Sequence, residues 1–363
     1  MPEKWYCLEL WRATPEILAM PLEERMRHVE KHLVVSSEGA FEKDAFVTKA
    51  PITTSESVAV MLFFAGIMGG PVLMMVCFCL ASVSGTWFHF ISVIAAILAL
   101  AFHPLPDPLS MTTARFTICL YKYFTYRIMW VDDVKAKVDA CKGWVGAGAP
   151  HGVLPLANFL SMPAINAFTP NRFLGGGATV TLYTPFLRYL TCLGGAIDVS
   201  KKSLMRASAK GHCIGIVPDG IAGIFQQNAN GAEERVALKK RMGLAKLCLN
   251  EGIPIVPAYS LGNTAVFSSW YDKFGVMESL SRRLKVSIFV FWGRWCLPIP
   301  KRTNIAMLIG APIQVSEFKK DDDVDGTKDN VETVHQRILS DISSVFNLHK
   351  DACGWGHYEM VFV

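Results

Sequence analysis

Apolar and charged positions divide this chain into three parts. From Val58 to Phe102 there is no Lys, Arg, Asp or Glu, and His89 is the one basic side chain. A helix needs about 20 apolar residues to cross a bilayer, so this run holds two. The stretch "ASVSGTWFH", Ala81 to His89, supplies small polar residues for a turn and a tryptophan suited to the membrane interface. Gly69, Gly70 and Pro71 interrupt the first span and predict a kinked or re-entrant helix. Charges near Lys49 and Glu56, and again near Asp107 and Arg115, put both ends of the hairpin on one side, the cytosolic one. A core hairpin buried in a soluble fold is the other reading of so apolar a run.

Residues 1–56 are of mixed charge, with a helical pattern across Pro21 to Val35 that fits a solvated arm or an element lying on a membrane surface. After the hairpin, short apolar runs alternate with helical periods. Strands are predicted at Trp144 to Ala147, Cys213 to Val217, Ile255 to Leu261, Val286 to Phe291 and Ile305 to Ile309. "EERVALKKRMGLAKLCLNEG" has the helical period and ends at Gly252, a C-cap glycine. The acidic stretch Lys319 to Asn330 predicts a solvated loop, and a last helix follows with Val331, Val334, Ile338, Ile342 and Val345 on one face. Strands separated by helices predict an α/β layer fold, a central sheet flanked by helices. The predicted organisation is an arm over 1–56, a hydrophobic helical hairpin over 57–103 and a folded domain over 104–363, without internal repeats.

Composition sharpens this picture. Of 363 residues, 51% are hydrophobic and only 18% charged, and the mean hydropathy of +0.30 is high for a wholly soluble chain. The net charge of +5 comes without basic blocks interleaved with aromatics, which argues against a nucleic-acid partner and leaves anionic lipid or a phosphorylated cosubstrate. Ten cysteines form no CxxC pair and no zinc spacing, and read as reduced thiols facing the cytosol. No Asn-x-Ser/Thr sequon occurs, and the first twenty residues lack the apolar core of a cleaved signal peptide.

The candidate chemistry begins with "GAGAPHGVLP", Gly146 to Pro155. His151 follows a predicted strand, between Pro150 and Gly152, where an α/β sheet offers side chains to a cleft. A neutral imidazole there can take a proton from an attacking hydroxyl. By itself the motif is weak, and a His beside Pro and Gly is more often an ordinary turn residue.

Further stretches carry a resemblance. The His-Pro-His-Gly box of the diacylglycerol acyltransferase type 2 family, the group that includes monoacylglycerol and wax-alcohol acyltransferases, falls on Ala149, Pro150, His151 and Gly152. Its Pro-x-x-Arg element falls on Pro185 and Arg188, its Arg-x-Gly helix leading into Val-Pro on Arg241, Gly243, Val256 and Pro257, and its Gly-Arg and Pro-x-x-Arg ending on Gly293, Arg294, Pro300, Lys301 and Arg302. "YFT", Tyr123 to Thr125, resembles the family's Tyr-Phe-Pro. The resemblance runs from the hairpin to about Val315. Two positions depart from it. Ala149 replaces the first histidine of the box, leaving His151 as the one candidate base, and Gly223 stands where the family has glutamate in Pro-Gly-Gly-x-x-Glu. Asp219 occupies the first glycine of that element and is the candidate replacement acid, although Asp-Gly also suits a plain turn.

The resemblance implies a membrane-anchored acyltransferase of the glycerolipid kind that moves a fatty acyl group from acyl-CoA to diacylglycerol, giving triacylglycerol and CoA. It implies His151 as general base with Asp219 as helper, and Pro150, Gly152, Arg188, Gly220, Arg241 and Arg294 around acyl-CoA or the acceptor. Acyl-CoA is a cosubstrate, and neither cofactor nor metal is expected. No Gly-x-Ser-x-Gly elbow is present, and Cys213 and Cys248 read as buried, so direct transfer is preferred to an acyl-enzyme. The expected setting is the endoplasmic reticulum membrane or a lipid-droplet surface, with the domain facing the cytosol and a homo-oligomer compatible with it. The rivals are a monoacylglycerol or long-chain-alcohol acyltransferase and a lipid-binding membrane protein without catalysis.

Overall fold

A computed structural model describes residues 2–104, 111, 114–226, 231–270, 272, 274–284, 289–318 and 327–363. Its strands are β1 (Lys4–Glu9), β2 (Val34–Glu38), β3 (Arg127–Val131), β4 (Val145–Ala149), β5 (Phe173–Gly177), β6 (Ala196–Asp198), β7 (Cys213–Ile216), β8 (Glu233–Val236), β9 (Ile255–Leu261), β10 (Ser268–Ser269), β11 (Phe291–Trp292), β12 (Ala306–Ile309) and β13 (Glu359–Phe362). Nine of them build one sheet in the order β2-β1-β3-β12-β9-β4-β7-β5-β6. From β9 through β4, β7 and β5 to β6 every pairing is parallel, while β12 runs antiparallel to β9 and β1 antiparallel to β3. Both faces are covered. Along β9, Val256 and Ala258 pack towards the helix Leu156–Phe168, and Ile255, Tyr259 and Leu261 pack towards the helices Gly243–Glu251 and Thr327–His349. This is the period-2 alternation of a strand buried on both sides, within a three-layer α/β/α arrangement.

The glycines of β4 serve this layering. A Cβ on Gly148 would stand 2.2 Å from Asn158 Oδ1, so only glycine lets the helix Leu156–Phe168 sit this close to the sheet. The gap beside it is a cavity of about 30 Å³ lined by Trp144, Gly146, Gly148, Asn158 and Phe173, among others. That holds a water or two and no fatty chain.

Several expectations are corrected. Residues 1–56 do not form a separate arm, because β1 lies inside the sheet between β2 and β3, with Cys7 and Leu8 fully buried. Their mixed charge sits on strand edges and on the helix Leu22–His32, which forms where the helical pattern predicted it. Glu233–Val236 is a strand rather than the start of a helix, because it pairs with the far C-terminus, Glu359–Phe362, a partner invisible to local pattern. The helix begins at Gly243 and ends on Gly252, whose φ of +69° is that of a glycine C-cap. Of the strand expected at Val286 to Phe291, Phe291 belongs to β11, and 285–288 lie outside the described residues. The acidic loop falls largely on 319–326, also outside them, and the last helix begins at Thr327 with its predicted apolar face buried.

The hairpin forms as a helix Thr54–Val83 and a helix Trp87–Phe102. A capping box starts the first: Thr53 Oγ1 accepts from the Glu56 N–H, and Glu56 accepts the Thr53 N–H at 2.8 Å, a motif contributing about 1 kcal/mol. Pro71 does not end that helix, which runs its full 30 residues. By length and composition it suffices to cross a membrane; the second, at 16 residues, is short for that on its own. Their outward side chains, including Leu73, Leu80, Val83, Trp87 and Phe88, are apolar and exposed. The hairpin is fastened to the domain by the segment around Phe186. The Phe186 ring covers Gly70, where a Cβ would come within 2.4 Å of it, and its φ of +67° is a costly conformation for a side chain of this size.

One buried histidine couples folding to pH. His349, beneath Trp5, donates Nδ1–H to the Val345 carbonyl at 2.9 Å, while its buried Nε2 has no hydrogen-bond partner among the described residues. Burial lowers its pKa to about 4, with the bond to Val345 acting against the shift. The unfolded chain therefore binds a proton near pH 6.5 that the folded chain refuses until about 4, and stability present above pH 6.5 is lost as the pH falls through that window. The loss expected by pH 4 is about 3 kcal/mol. Thermal melts of the parent and His349→Gln between pH 7.5 and 4 should show this acid sensitivity, shallower by about that amount in the variant.

Candidate active site

Three loops at the carboxyl ends of three adjacent parallel strands converge: the one after β4 carries His151, the one after β7 carries Asp219, and the one after β9 carries Asn263. The outer carboxyl edge of a parallel sheet is where α/β folds place ligand sites. Gly152 and Gly220 turn two of these loops at φ +62° and +49°, a conformation that favours glycine.

The His151 backbone N–H donates to Asp219 Oδ2 at 2.9 Å. Its ring Nδ1 lies 2.8 Å from the Gly152 carbonyl oxygen, which can only accept, so Nδ1 carries the proton. In the neutral ring Nε2 then holds the free lone pair. The side chain is half-buried rather than sealed in the core. Asp219 is completely buried, and burial raises its carboxyl pKa against the opposing pull of His151, the backbone N–H and Arg241. Its Oδ1 has no hydrogen-bond partner among the described residues.

The acid stands where a side chain at position 223 would be. A Cβ on Gly223 would fall 2.0 Å from Asp219 Oδ2 and 3.1 Å from His151 Cβ. Positions 219 and 223 are one helical turn apart and share a face. The Asp219 carboxyl thus occupies the space that a side chain at 223 would need.

Asn263 organises the histidine loop from behind. Fully buried, it donates Nδ2–H to the carbonyls of His151 at 2.8 Å and Leu154 at 3.1 Å and accepts the Ala157 N–H at 3.1 Å. A second buried cluster adjoins it: Tyr259 donates to Glu234 Oε2 at 2.5 Å, and Thr264 donates to the same carboxyl at 2.8 Å. Burial raises the pKa of both Glu234 and Tyr259. Tyr259 is the β9 residue aligned with Ala149, the position lacking the first box histidine. Sequence reasoning missed Asn263, Glu234 and Tyr259; the Gly-Asn-Thr following β9 was the available signal for the first.

The other predicted residues divide. Pro150 and Gly152 shape the histidine turn, and Gly220 lies beside Arg241, whose Nη1 is 3.5 Å from where a Cβ would be. Burial and the neighbouring Arg282 lower the Arg241 pKa, while Asp219 and Glu278 act against them, which puts this guanidinium within electrostatic reach of the site. Arg188 goes elsewhere: it donates to the carbonyls of Leu100 and His103, satisfying the C-terminal end of the second hairpin helix. Arg294 lies against Met61 of the first hairpin helix and stacks on Trp295. Gly175 to Gly177 end β5, where a Cβ on Gly175 would meet Met162 Sδ at 2.3 Å. All ten cysteines are free, and burial pushes the Cys213 and Cys248 thiols up to about 12, which suppresses the thiolate an acyl-enzyme would need. No cluster of three or more metal-ligating side chains occurs among the described residues.

A histidine whose Nε2 has no hydrogen-bond partner among the described residues, presented beside a buried acid on the carboxyl edge of the sheet, sits in an acyltransferase. A family model described as Diacylglycerol acyltransferase matches residues 109–362, and the chain belongs to that family. The match starts after the hairpin, where the resemblance was expected to include it, and continues through the last helix to β13. Among its relatives, Diacylglycerol O-acyltransferase 2 of Dictyostelium discoideum is 27% identical over 263 residues, 64% of this chain and 74% of that one. 2-acylglycerol O-acyltransferase 1 of Bos taurus is 24% identical over 236 residues, 60% and 68% of the two chains. Human Diacylglycerol O-acyltransferase 2 is 24% identical over 234 residues, 59% and 58%.

Proposed function

We propose that the chain transfers a fatty acyl group from acyl-CoA to the free hydroxyl of diacylglycerol, producing triacylglycerol and CoA. The observation that carries this reading is the His151 ring, fixed by Nδ1–H to Gly152 with Nε2 left as acceptor, in a loop that Asp219 and Asn263 hold from two sides. Nε2 takes the hydroxyl proton as the oxygen attacks the thioester carbonyl carbon. The C–S bond of the tetrahedral intermediate then breaks, and the departing thiolate recovers the proton from the imidazolium. Asp219 acts as a positioning acid: it holds the His151 backbone, and its charge favours the imidazolium. A placed base of this kind is worth about 10²–10⁴ in rate. Arg241, with its charge close to Asp219, is our candidate for a CoA phosphate.

The hairpin anchors the enzyme in the endoplasmic reticulum membrane, with the sheet domain on the cytosolic side and access to lipid droplets. An acceptor dissolved in the bilayer requires a site at its surface. The apolar exposed side chains of Thr54–Val83 and ten unpaired cysteines support this setting.

Microsomes carrying the chain and given labelled acyl-CoA with diacylglycerol, monoacylglycerol or a long-chain alcohol should yield triacylglycerol as main product. A faster reaction with monoacylglycerol, the acceptor class in the name of the bovine relative, would replace diacylglycerol in this reading. No product with any acceptor would leave a lipid-binding protein.

Asn263 offers a separate check on positioning. Asn263→Ala removes the bonds to His151 O, Leu154 O and the Ala157 N–H, so kcat is expected to fall at least about tenfold with little change in KM. The melting curve should record a loss of about 2–3 kcal/mol. A change in KM alone would place Asn263 in substrate binding instead.

A further inference from the structure

The helix Val276–Leu284 is inside out. Its inward face carries Ser281, fully buried, and packs on Gly220–Phe225, the helix that follows Asp219. Its outward face carries Val276, Leu280 and Leu284, at 63%, 42% and 53% exposure. Spaced four residues apart, they form one stripe. A helix that turns only the half-buried Met277 and the buried Ser281 to the body and three aliphatic residues to the outside has most of its apolar partner elsewhere. Trp270, Trp295 and Leu297, all exposed, belong to neighbouring segments, joined through the β10–β11 pairing of Ser268–Ser269 with Phe291–Trp292.

Charge and position say what that partner is. Arg282 and Arg283 are exposed beside the stripe, and Arg294 stacks on Trp295 at 4.5 Å. The acids nearby are engaged: Asp272 caps the helix by accepting from the Val276 and Glu278 N–H groups, and Glu278 pairs with Arg282 at 2.6 Å. Arg294 also touches Met61 in the first hairpin helix, so this surface continues the apolar surface of the hairpin. Tryptophan, aliphatic and arginine side chains together fit the boundary between headgroups and acyl chains.

We infer that the stripe Val276–Leu280–Leu284, with Trp270 and Trp295, is a second membrane-contact face that lies on a bilayer surface containing anionic phospholipid. It rests on the hairpin anchoring proposed above and not on the acyl-transfer chemistry. Arg241 feels the charges of Arg282 and Glu278 on one side and of Asp219 on the other, so the face borders the candidate site and brings it to the lipid surface.

The test is photo-crosslinking of the full chain in nanodiscs of phosphatidylcholine with phosphatidylserine, with p-benzoylphenylalanine in place of Leu280, of Leu73 in the hairpin, or of the exposed Gln336 on the last helix. Adducts to lipid are expected from Leu280 and Leu73 and not from Gln336. Arg283→Gln should lower the Leu280 lipid adduct about fivefold, the weight of one basic side chain at an anionic surface. A chain-to-chain adduct from Leu280, or no lipid adduct there, would overturn the inference. No loss with Arg283→Gln would overturn its anionic part. Failure at Leu73 alone would overturn the hairpin anchoring on which the inference rests; failure at Leu280 alone would overturn the second face and leave the anchoring in place.

Discussion

Replacing His151 with alanine is expected to lower acyl transfer about 10²–10⁴-fold while the chain stays folded. The two consequences separate because the loop is held by groups that the substitution leaves in place. Asp219 binds the His151 backbone N–H, and Asn263 binds its carbonyl. Alanine removes a single side-chain hydrogen bond, from Nδ1 to the Gly152 carbonyl, at a half-buried position. That costs about 1 kcal/mol, small beside the loss of a base. The loss should therefore appear in kcat, with the KM for acyl-CoA and the melting temperature close to those of the parent. Full activity in the folded variant would remove the imidazole from the mechanism.

The second large effect comes from moving the acid. Gly223→Glu installs the residue that the family resemblance implies there, yet in this chain it should be damaging. Its Cβ would fall 2.0 Å from Asp219 Oδ2 and 3.1 Å from His151 Cβ, and it would bring a second carboxyl to a fully buried one. Overpacking by the Cβ alone costs about 1–3 kcal/mol. Displacing the His151 loop by 1 Å costs about 10²-fold in rate. The double variant Asp219→Gly with Gly223→Glu empties the contested space and puts the acid back one turn further along. It is expected to recover activity to within about tenfold of the parent, because neighbouring substitutions that share one space are strongly non-additive. Measured as a double-mutant cycle in kcat, rescue means that one acid is required and that either position can supply it. A double variant no better than Gly223→Glu would mean that Asp219 is a turn residue.

Much of this was legible in the chain. The charge-free run from Val58 to Phe102 gave the hairpin and the place of its turn, because a span of that length has few other uses. β7, β9 and β12 were legible as apolar runs, since a strand buried on both faces needs no alternation. An exchange of acid between 219 and 223 was suggested by the family resemblance alone, and whether the two positions share one space depends on the helix register, which only coordinates supply. β1, β2, β8 and β13 were missed for one physical reason: each is stabilised by a partner far away in sequence or by the edge of a sheet already formed, which local pattern does not show. Arg188 coincided with a family motif and turned out to bind the end of the hairpin, because a matched position carries a residue type and not the direction of its side chain. Asn263, a lone buried amide behind the histidine loop, had no periodicity to reveal it.

Direct transfer driven by His151 is tested most directly by mixing the purified chain in nanodiscs with labelled acyl-CoA, first without and then with diacylglycerol. The mechanism predicts no label bound covalently to the chain in the first stage and triacylglycerol in the second, with the second stage abolished in His151→Ala. Label retained on the denatured parent chain, or triacylglycerol formed at the parent rate by His151→Ala, would contradict it.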